Sequence, residues 1–346
     1  MATGMGAASR GFTSQPVEQP GMDVLVTGGT GFVGRNLTQE LAKRGHDVTA
    51  LARTPDEDAL HPDVETAVGD VTAYDSIEPA FEGQDVVVNL VALSPLFKPK
   101  GGDEKHLEIH LGGTENCLQA AEAHGVEKFV QMSALGADPQ GDTHYIRAKG
   151  RAEQATRDAG VDWTVFRPSV VFGDGGEFVP FTKLLAPPYF TPLPGGGKTR
   201  FQPIWIGDLV SMLALAVEGE TPDEDGDRGP TPAIRRIDEA EADRVDPHVG
   251  ATYEIGGPEV LTLAEVARLA HAADNKPISV VDIPMGLAGI GLKALGALPG
   301  APMGADQYRS LKFDNTTGDN DIGTFEYDES KLLTLAEYLD VDPEQA

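Results

Sequence analysis

Cysteine, cationic residues and long apolar runs are scarce in this chain, and each shortage excludes a class of protein. A single cysteine, Cys117, cannot form an internal disulfide, so nothing indicates an oxidising compartment. No apolar run reaches the ~18 residues that a membrane-spanning helix needs. Residues 1–21 are rich in Gly, Ala, Ser and Pro but lack the apolar centre of a signal peptide, which predicts a disordered tail. We therefore expect a cytoplasmic protein.

Positive charge is the second shortage. The chain has 27 Lys and Arg against 55 Asp and Glu, which gives a formal net charge of −28. Such a surface repels the phosphates of nucleic acids, so we expect no nucleic-acid partner. It is also typical of a halophilic protein, because concentrated salt shortens the Debye length to ~3 Å and screens self-repulsion. An ordinary acidic protein is the alternative interpretation.

We predict no metal ligands.

Short apolar strands alternate with helical patterns through the first half of the chain. This alternation is typical of an α/β fold with a Rossmann-type, doubly wound parallel sheet. We predict a dinucleotide-binding domain over residues 22–173 and a smaller C-terminal substrate lobe over residues 174–346. Strands of the lobe can return to the main sheet. The acidic run over residues 219–250 is predicted to be a solvated surface insertion.

A glycine-rich turn follows the first predicted strand and opens the first helix. Glycines at such a turn let the backbone approach a pyrophosphate, whose charge is met by free N–H groups at the helix N-terminus. The strand–turn–helix context makes the pattern more specific than the glycines alone. We predict that the turn binds a dinucleotide through Gly28, Thr30, Gly31, Phe32, Val33 and Gly34.

The end of the second strand predicts which dinucleotide is bound. An acidic side chain there would hold the adenosine ribose and favour NAD(H), but the sequence reads Leu51-Ala52-Arg53-Thr54. Arg53 is placed to pair with a 2′-phosphate, and Arg35 could assist it. We therefore predict NADP(H), with NAD(H) as the alternative. After the third strand, Asp70 and Val71 are expected beside the adenine.

A second constellation consists of Ser133, Tyr145 and Lys149. Tyrosine and lysine four residues apart lie on one face of a helix. An adjacent ammonium favours the phenolate of Tyr145, so that the phenol can exchange a proton near neutral pH. Ser133, at the end of the fifth strand, could orient a carbonyl or an alcohol. The three residues are predicted to be catalytic, with Lys149 also contacting the cofactor; an amphipathic surface helix is the alternative.

At these residues the chain resembles the extended or atypical branch of the short-chain dehydrogenase/reductase superfamily, the epimerase/dehydratase-like proteins. The resemblance includes Val91 and Ala92 after the fourth strand and Pro168-Ser169-Val170 after the sixth. In the family these segments contact the cofactor, so the resemblance implies the same for these five residues. Within that branch the chain is similar to relatives of the nucleotide-binding accessory subunit of respiratory complex I. The short interval from Ser133 to Tyr145 departs from the sugar-nucleotide epimerases.

Two functions stay open. The first is an NADP(H)-dependent oxidoreductase or epimerase-like enzyme that acts on a carbonyl or an alcohol by hydride transfer, with Tyr145 as the acid/base. Its expected partner is an unidentified small-molecule substrate. The second is a non-catalytic NADPH-binding accessory or assembly module that docks on a respiratory or membrane complex and lies at the membrane periphery. The oligomeric state is left open.

Overall fold

The structure, a computed structural model, describes residues 21–220, 246–286, 305–325 and 327–343. The strands are β1 (Asp23–Thr27), β2 (Asp47–Ala52), β3 (Val64–Val68), β4 (Val86–Asn89), β5 (Lys128–Met132), β6 (Asp162–Pro168), β7 (Val171–Phe172), β8 (Thr191–Pro194), β9 (Arg200–Phe201), β10 (Ile204–Trp205), β11 (Ala251–Ile255), β12 (Leu261–Thr262) and β13 (Val280–Ile283). The α-helices are α1 (Phe32–Lys43), α2 (Tyr74–Ile77), α3 (Gly113–His124), α4 (His144–Asp158), α5 (Phe178–Leu185), α6 (Ile206–Glu218), α7 (Leu263–Ala272), α8 (Ala305–Ser310) and α9 (Leu335–Tyr338). A π-helix, Leu107–Gly112, runs directly into α3.

Seven parallel strands form the main sheet, in the order β11-β6-β5-β4-β1-β2-β3. The order reverses direction between β1 and β4, which is the switch point where doubly wound folds bind their ligands. The predicted Rossmann-type α/β fold is confirmed. The strand from the C-terminal half that joins this sheet is β11, which pairs with β6.

Both faces of the sheet are buried, and the side chains of each strand alternate between them. In β1, Val24 and Val26 pack with α1 and α6, whereas Leu25 packs with α3 on the other face. Two-sided burial is why the strands read as continuous apolar runs. The helix α6 is apolar around most of its surface because it is covered by α1 and the sheet, so it lacks the periodicity of a surface helix.

The remaining C-terminal elements form a smaller unit of two-stranded pairs and helices. The pairs are β7 with β10, β9 with β12 and β8 with β13, and α5 packs against α7. The predicted tail and most of the predicted acidic insertion lie outside the described residues. The π-helix Leu107–Gly112 was not predicted from the sequence.

Candidate functional site

The turn between β1 and α1 brings backbone very close to backbone. Gly28 has φ +74°, a left-handed conformation that glycine adopts without strain. A Cβ on Gly34 would lie 2.2 Å from the carbonyl oxygen of Gly28, so no larger residue fits there. Gly31 caps the helix without a side-chain hydrogen bond. The N–H groups of the first helical turn therefore remain available for an anion.

A cavity of about 260 Å³ opens beside this turn, at the carboxyl ends of β1 to β4. We call it the nucleotide cavity. Its lining consists of Gly28, Thr30, Gly31, Leu51, Ala52, Arg53, Thr54, Gly69, Asp70, Val71, Leu90, Val91, Ala92, Leu93 and Ile109. Apolar side chains with a few polar groups at the switch point are what a nucleoside needs.

One cation and one carboxylate both line the nucleotide cavity. Arg53 is exposed, and its charge acts on Asp70. The pKa of Asp70 is lowered, first by the hydrogen bond that it accepts from the Thr72 backbone N–H and also by Arg53. An exposed guanidinium at this position can pair with an anion in the cavity.

Arg35, the other cation predicted near the 2′-phosphate, does not line the cavity. Its guanidinium donates to the carbonyl of Asp174 over 3.4 Å instead. A Cβ on Gly175 would lie 1.9 Å from the same guanidinium. Phe32, Val33 and Gly34 are likewise absent from the lining, and form the first turn of α1 instead.

A buried polar network beneath the cavity holds the segment after β4. The amide oxygen of Asn89 accepts from the Thr27 hydroxyl over 2.7 Å and from the Val91 N–H over 3.4 Å. The amide nitrogen of Asn89 donates to Thr114 and to Gln131, each over 3.0 Å. These four hydrogen bonds fix the backbone of the cavity floor.

Ser133 lies at the end of β5, where the sequence predicts it, but its hydroxyl is already used. It donates to Glu153 over 2.5 Å, and Ser133 is buried. The Glu153 carboxylate is 1% exposed and also accepts from Arg167 over 2.7 and 2.9 Å and from Arg157 over 2.8 Å. Burial raises the pKa of Glu153, but these hydrogen bonds outweigh it and the net shift is downward. Ser133 is thus part of an ion-pair network inside the protein.

Tyr145 and Lys149 lie one turn apart on α4, whose start is fixed by Thr143 accepting the Ile146 N–H over 3.2 Å. The Lys149 ammonium is buried and donates to the carbonyl of Met132, at the end of β5, over 2.8 Å. Burial lowers the pKa of Lys149 to about 8. Burial also raises the pKa of Tyr145 above its ordinary value, although part of the residue stays exposed. In this geometry the phenol is neutral at neutral pH.

Two histidines that the sequence analysis did not select surround the Tyr145 ring. His106 and His110 stack with ring centroids 5.5 Å apart, and both meet the tyrosine ring edge-on at 5.6 and 5.3 Å. Both imidazoles are buried, and burial lowers the pKa of each. We call Tyr145, Lys149, His106 and His110 the tyrosine cluster. No spacing rule marks a His-x-x-x-His pair on a π-helix as part of this site.

The segment Pro168 to Val170, predicted to contact the cofactor, is tied to the C-terminal region. Ser169 donates its hydroxyl to the side-chain oxygen of Asn315 over 2.7 Å, and the Val170 N–H donates to the same oxygen over 3.0 Å. None of the three residues lines the nucleotide cavity. The side chain of Asn315 thus joins the end of β6 to the smaller unit.

One set of potential metal ligands occurs among the described residues. Ligand atoms of Asp103, His144 and Asp306 lie within 4.8 Å of one another. The buried Asp306 carboxylate already accepts from the N–H and the Nδ1 of His144, over 2.8 and 2.9 Å, and from Arg309 over 2.5 Å. These bonds anchor the start of α4 on α8, which accounts for the cluster without an ion.

Comparison with known proteins identifies the family of the N-terminal half. A family model described as NAD(P)H-binding matches residues 28–179. The chain is 27% identical over 293 residues to NADH dehydrogenase (ubiquinone) 1 alpha subcomplex subunit 9, mitochondrial, of Arabidopsis thaliana, over 82% of this chain and 66% of that protein. It is 31% identical over 227 residues to a 3 beta-hydroxysteroid dehydrogenase/Delta 5→4-isomerase of Mycobacterium tuberculosis, over 58% of this chain and 61% of that protein. The chain thus spans just under two thirds of the length of these relatives.

The Arabidopsis relative corrects the expectation about partners. From the sequence, an unidentified small molecule is the first expected partner, and docking on a larger complex is only the alternative. By its name, however, the Arabidopsis protein is a subunit of a multisubunit NADH dehydrogenase, so its partners are other proteins. A protein of the same description from Dictyostelium discoideum matches over 57% of this chain. Placing the small molecule ahead of a protein partner was therefore wrong.

The solved structures with the same fold include the UDP-glucose 4-epimerase of Thermus thermophilus in complex with NAD. Its TM-score is 0.56 at 22% identity, over 83% of this chain and 99% of that chain.

Among the described residues, no helix is both long enough and apolar enough to cross a membrane. The seven-stranded sheet, the glycine turn and the family match together show that this chain contains an NAD(P)H-binding domain with a Rossmann-type fold, matched over residues 28–179.

Proposed function

We propose that this chain binds NADP(H) tightly and contributes the nucleotide-loaded fold to a protein assembly, without turning the nucleotide over. The observation that carries the proposal is the arrangement around the nucleotide cavity. The N–H groups at the start of α1 have no side-chain cap and would be available to a pyrophosphate, and Arg53 in the cavity lining would supply the charge for a 2′-phosphate. An NADP(H) molecule bound there would extend from the cavity along Val91 and Leu93 toward Tyr145.

The polar groups of the predicted catalytic set support binding without turnover. The Ser133 hydroxyl donates its single hydrogen to Glu153, and the Lys149 ammonium donates one of its three hydrogens to the Met132 carbonyl. The pKa of Tyr145 is raised by burial, which disfavours the phenolate that a general base requires. The subunit name of the Arabidopsis relative supports the same function. The bound nucleotide would then stabilise the fold by mass action.

The second candidate is an NADP(H)-dependent oxidoreductase or epimerase acting on a carbonyl or an alcohol. The spacing of Tyr145 and Lys149 on α4 favours it, as does the hydroxysteroid dehydrogenase among the relatives. The nicotinamide would supply the hydride, and Tyr145 would give or take the proton. For that, Ser133 would have to leave Glu153, or another donor would have to hold the substrate oxygen.

The two candidates are separated by what happens to nucleotide that purifies with the protein. The protein is isolated in concentrated salt, the nucleotide is released by denaturation, and its identity is determined by mass. We expect NADP(H) at close to one molecule per chain, whose NADPH fluorescence stays constant when aldehydes, ketones and hydroxysteroids are added. Oxidation of the NADPH by any of these compounds would favour the enzyme, and an empty protein that fails to bind NADPH would contradict both candidates.

A further inference from the structure

His110 lies between the nucleotide cavity and Tyr145. Its neighbour Ile109 lines the cavity, as does Leu93, whose backbone N–H donates to the Nε2 of His110 over 3.4 Å. On its other side the imidazole meets the Tyr145 ring at 5.3 Å. The nicotinamide half of a dinucleotide that extends from the cavity toward α4 would therefore pass beside Leu93, against the side on which this imidazole lies.

The hydrogen-bond partner of His110 determines which of its ring nitrogens carries the proton. Because Nε2 accepts a hydrogen bond, it is unprotonated, and the hydrogen of the neutral imidazole is on Nδ1. Burial and the nearby Lys149 charge lower the pKa of His110, which keeps the ring neutral. The Nδ1 atom is buried and has no hydrogen-bond partner. His110 is thus a buried N–H donor without an acceptor, in a residue that is 2% exposed.

Another buried histidine shows why this donor is unusual. The Nδ1 atoms of His106, which stacks on His110, and of His271, on α7, are also buried without a partner. The Nε2 of His271, however, lies 2.7 Å from the carbonyl oxygen of Ala186 and so must be the protonated nitrogen. The unpartnered Nδ1 of His271 is therefore a bare acceptor. An orphaned donor is much rarer in folded proteins than an under-used acceptor, because its desolvation costs about 1–3 kcal/mol.

We propose that the Nδ1–H of His110 binds an uncharged oxygen on the nicotinamide half of the bound dinucleotide, a ribose hydroxyl or the carboxamide. This inference rests on the proposed nucleotide binding and adds a residue to that site. The adenosine half would not reach the imidazole, because the adenine and its ribose would lie at the other end of the cavity, near Arg53. The stack with His106 and the edge contact with Tyr145 hold the ring in place for this bond.

The test follows the imidazole N–H directly. Protein labelled with ¹⁵N-histidine is observed by NMR alone, with 2′,5′-ADP and with NADP⁺. We expect the Nδ1–H signal of His110, identified by its loss in His110→Asn, to move downfield with NADP⁺ and to stay in place with 2′,5′-ADP. The signal of His271 should not move with either ligand. A His110 signal that is unchanged by NADP⁺, or that moves equally with 2′,5′-ADP, would overturn the inference.

The NADP⁺ affinities of two variants of His110 provide a second test. His110→Phe keeps an aromatic ring against Tyr145 but has no donor, and it should weaken NADP⁺ binding roughly tenfold, as the loss of one hydrogen bond predicts. His110→Asn, which retains a donor, should recover most of that affinity, and neither variant should alter 2′,5′-ADP binding. Equal affinity of His110→Phe and the unaltered protein for NADP⁺ would refute the role of His110. Failure of the unaltered protein to bind either nucleotide would instead refute the proposed function.

Discussion

The nucleotide cavity and the tyrosine cluster lie at the carboxyl ends of neighbouring strands, yet their polar groups are arranged in opposite ways. Around the cavity, the first N–H groups of α1 have no side-chain cap and the guanidinium of Arg53 is exposed. Around the cluster, Ser133 donates its hydroxyl to the buried Glu153, and Lys149 donates one N–H group to the Met132 carbonyl. The difference supports our proposal that the first region binds a ligand and that the second, apart from His110, serves mainly the stability of the fold.

Removing Glu153 should have the largest effect, because it would leave Arg167 and Ser133 without their buried acceptor. Truncation of one partner of a buried ion pair costs on the order of 3 kcal/mol or more, so Glu153→Ala should lower the unfolding free energy by about that amount. Denaturant unfolding at fixed salt measures it. Glu108→Ala, which removes only an exposed pair with Lys105, should change stability by less than about 0.5 kcal/mol.

The lowered pKa of Glu153 predicts how the unfolding free energy changes with pH. Its pKa in the folded state is lowered from the ordinary value of 4.5, so its contribution is fully present above pH 4.5. The contribution is lost as the pH falls through the lowered value. Unfolding curves from pH 6 down to pH 3 should therefore converge for the unaltered protein and Glu153→Gln. A difference that stays constant over this range would show that the ion pair does not carry the effect.

Gly34→Ala tests the ligand side of the comparison. Its Cβ would meet the Gly28 carbonyl oxygen at 2.2 Å, so the turn must move. We expect nucleotide affinity to fall roughly 100-fold, the equivalent of about 3 kcal/mol of strain. Gly112→Ala is the matched control, because a Cβ there meets nothing within 4 Å and its backbone is helical. Equal NADPH affinity in both variants, measured by fluorescence titration, would show that the turn does not hold the pyrophosphate.

Arg53→Ala should have a smaller effect that depends on the nucleotide. Loss of one charge-assisted pair is expected to weaken NADPH binding by about 1.5–3 kcal/mol and to leave NADH binding nearly unchanged. Arg35→Ala is the control, since its guanidinium bonds the Asp174 carbonyl rather than lining the cavity. Equal losses for the two nucleotides would show that Arg53 does not bind the 2′-phosphate. A larger loss in Arg35→Ala would show that Arg35 makes the phosphate contact instead.

Tyr145→Phe should have the smallest effect. The variant keeps the ring that meets His106 and His110 and loses only the hydroxyl. If the nucleotide is held without turnover, the amount of NADP(H) that purifies with the protein should equal that of the unaltered protein. A variant that retains NADPH but has lost an oxidation that the unaltered protein performs would restore Tyr145 as the acid/base.

The sequence predicts the sheet well because buried parallel strands and glycine turns have local signatures. The runs at β1 and β4 and the turn Gly28–Gly34 required no knowledge of distant contacts. Half of the residues predicted to bind the cofactor line the nucleotide cavity, chiefly those at the ends of β1 to β4. Neighbours such as Thr54 and Gly69 follow from the same strand ends and could have been included.

The rest depends on contacts between distant parts of the chain. The hydrogen bond from Ser133 to Glu153 joins residues 20 positions apart, and the one from Ser169 to Asn315 joins residues 146 positions apart. Local sequence patterns do not indicate such contacts. Ile109 reaches the cavity, and His110 reaches Tyr145, because the π-helix turns their side chains in directions that a regular helical repeat does not give. Sequence spacing alone predicts that Tyr145 and Lys149 share a face, but it does not predict what else lies against that face.

Calorimetric titration of the 346-residue chain with NADPH, NADH and 2′,5′-ADP, at one fixed high salt concentration, tests the central claim most directly. We predict that NADPH binds more tightly than NADH by at least about tenfold and that 2′,5′-ADP retains most of the binding free energy of NADPH. Equal affinities for NADPH and NADH, together with no binding of 2′,5′-ADP, would contradict a site organised around the phosphates of the adenosine half.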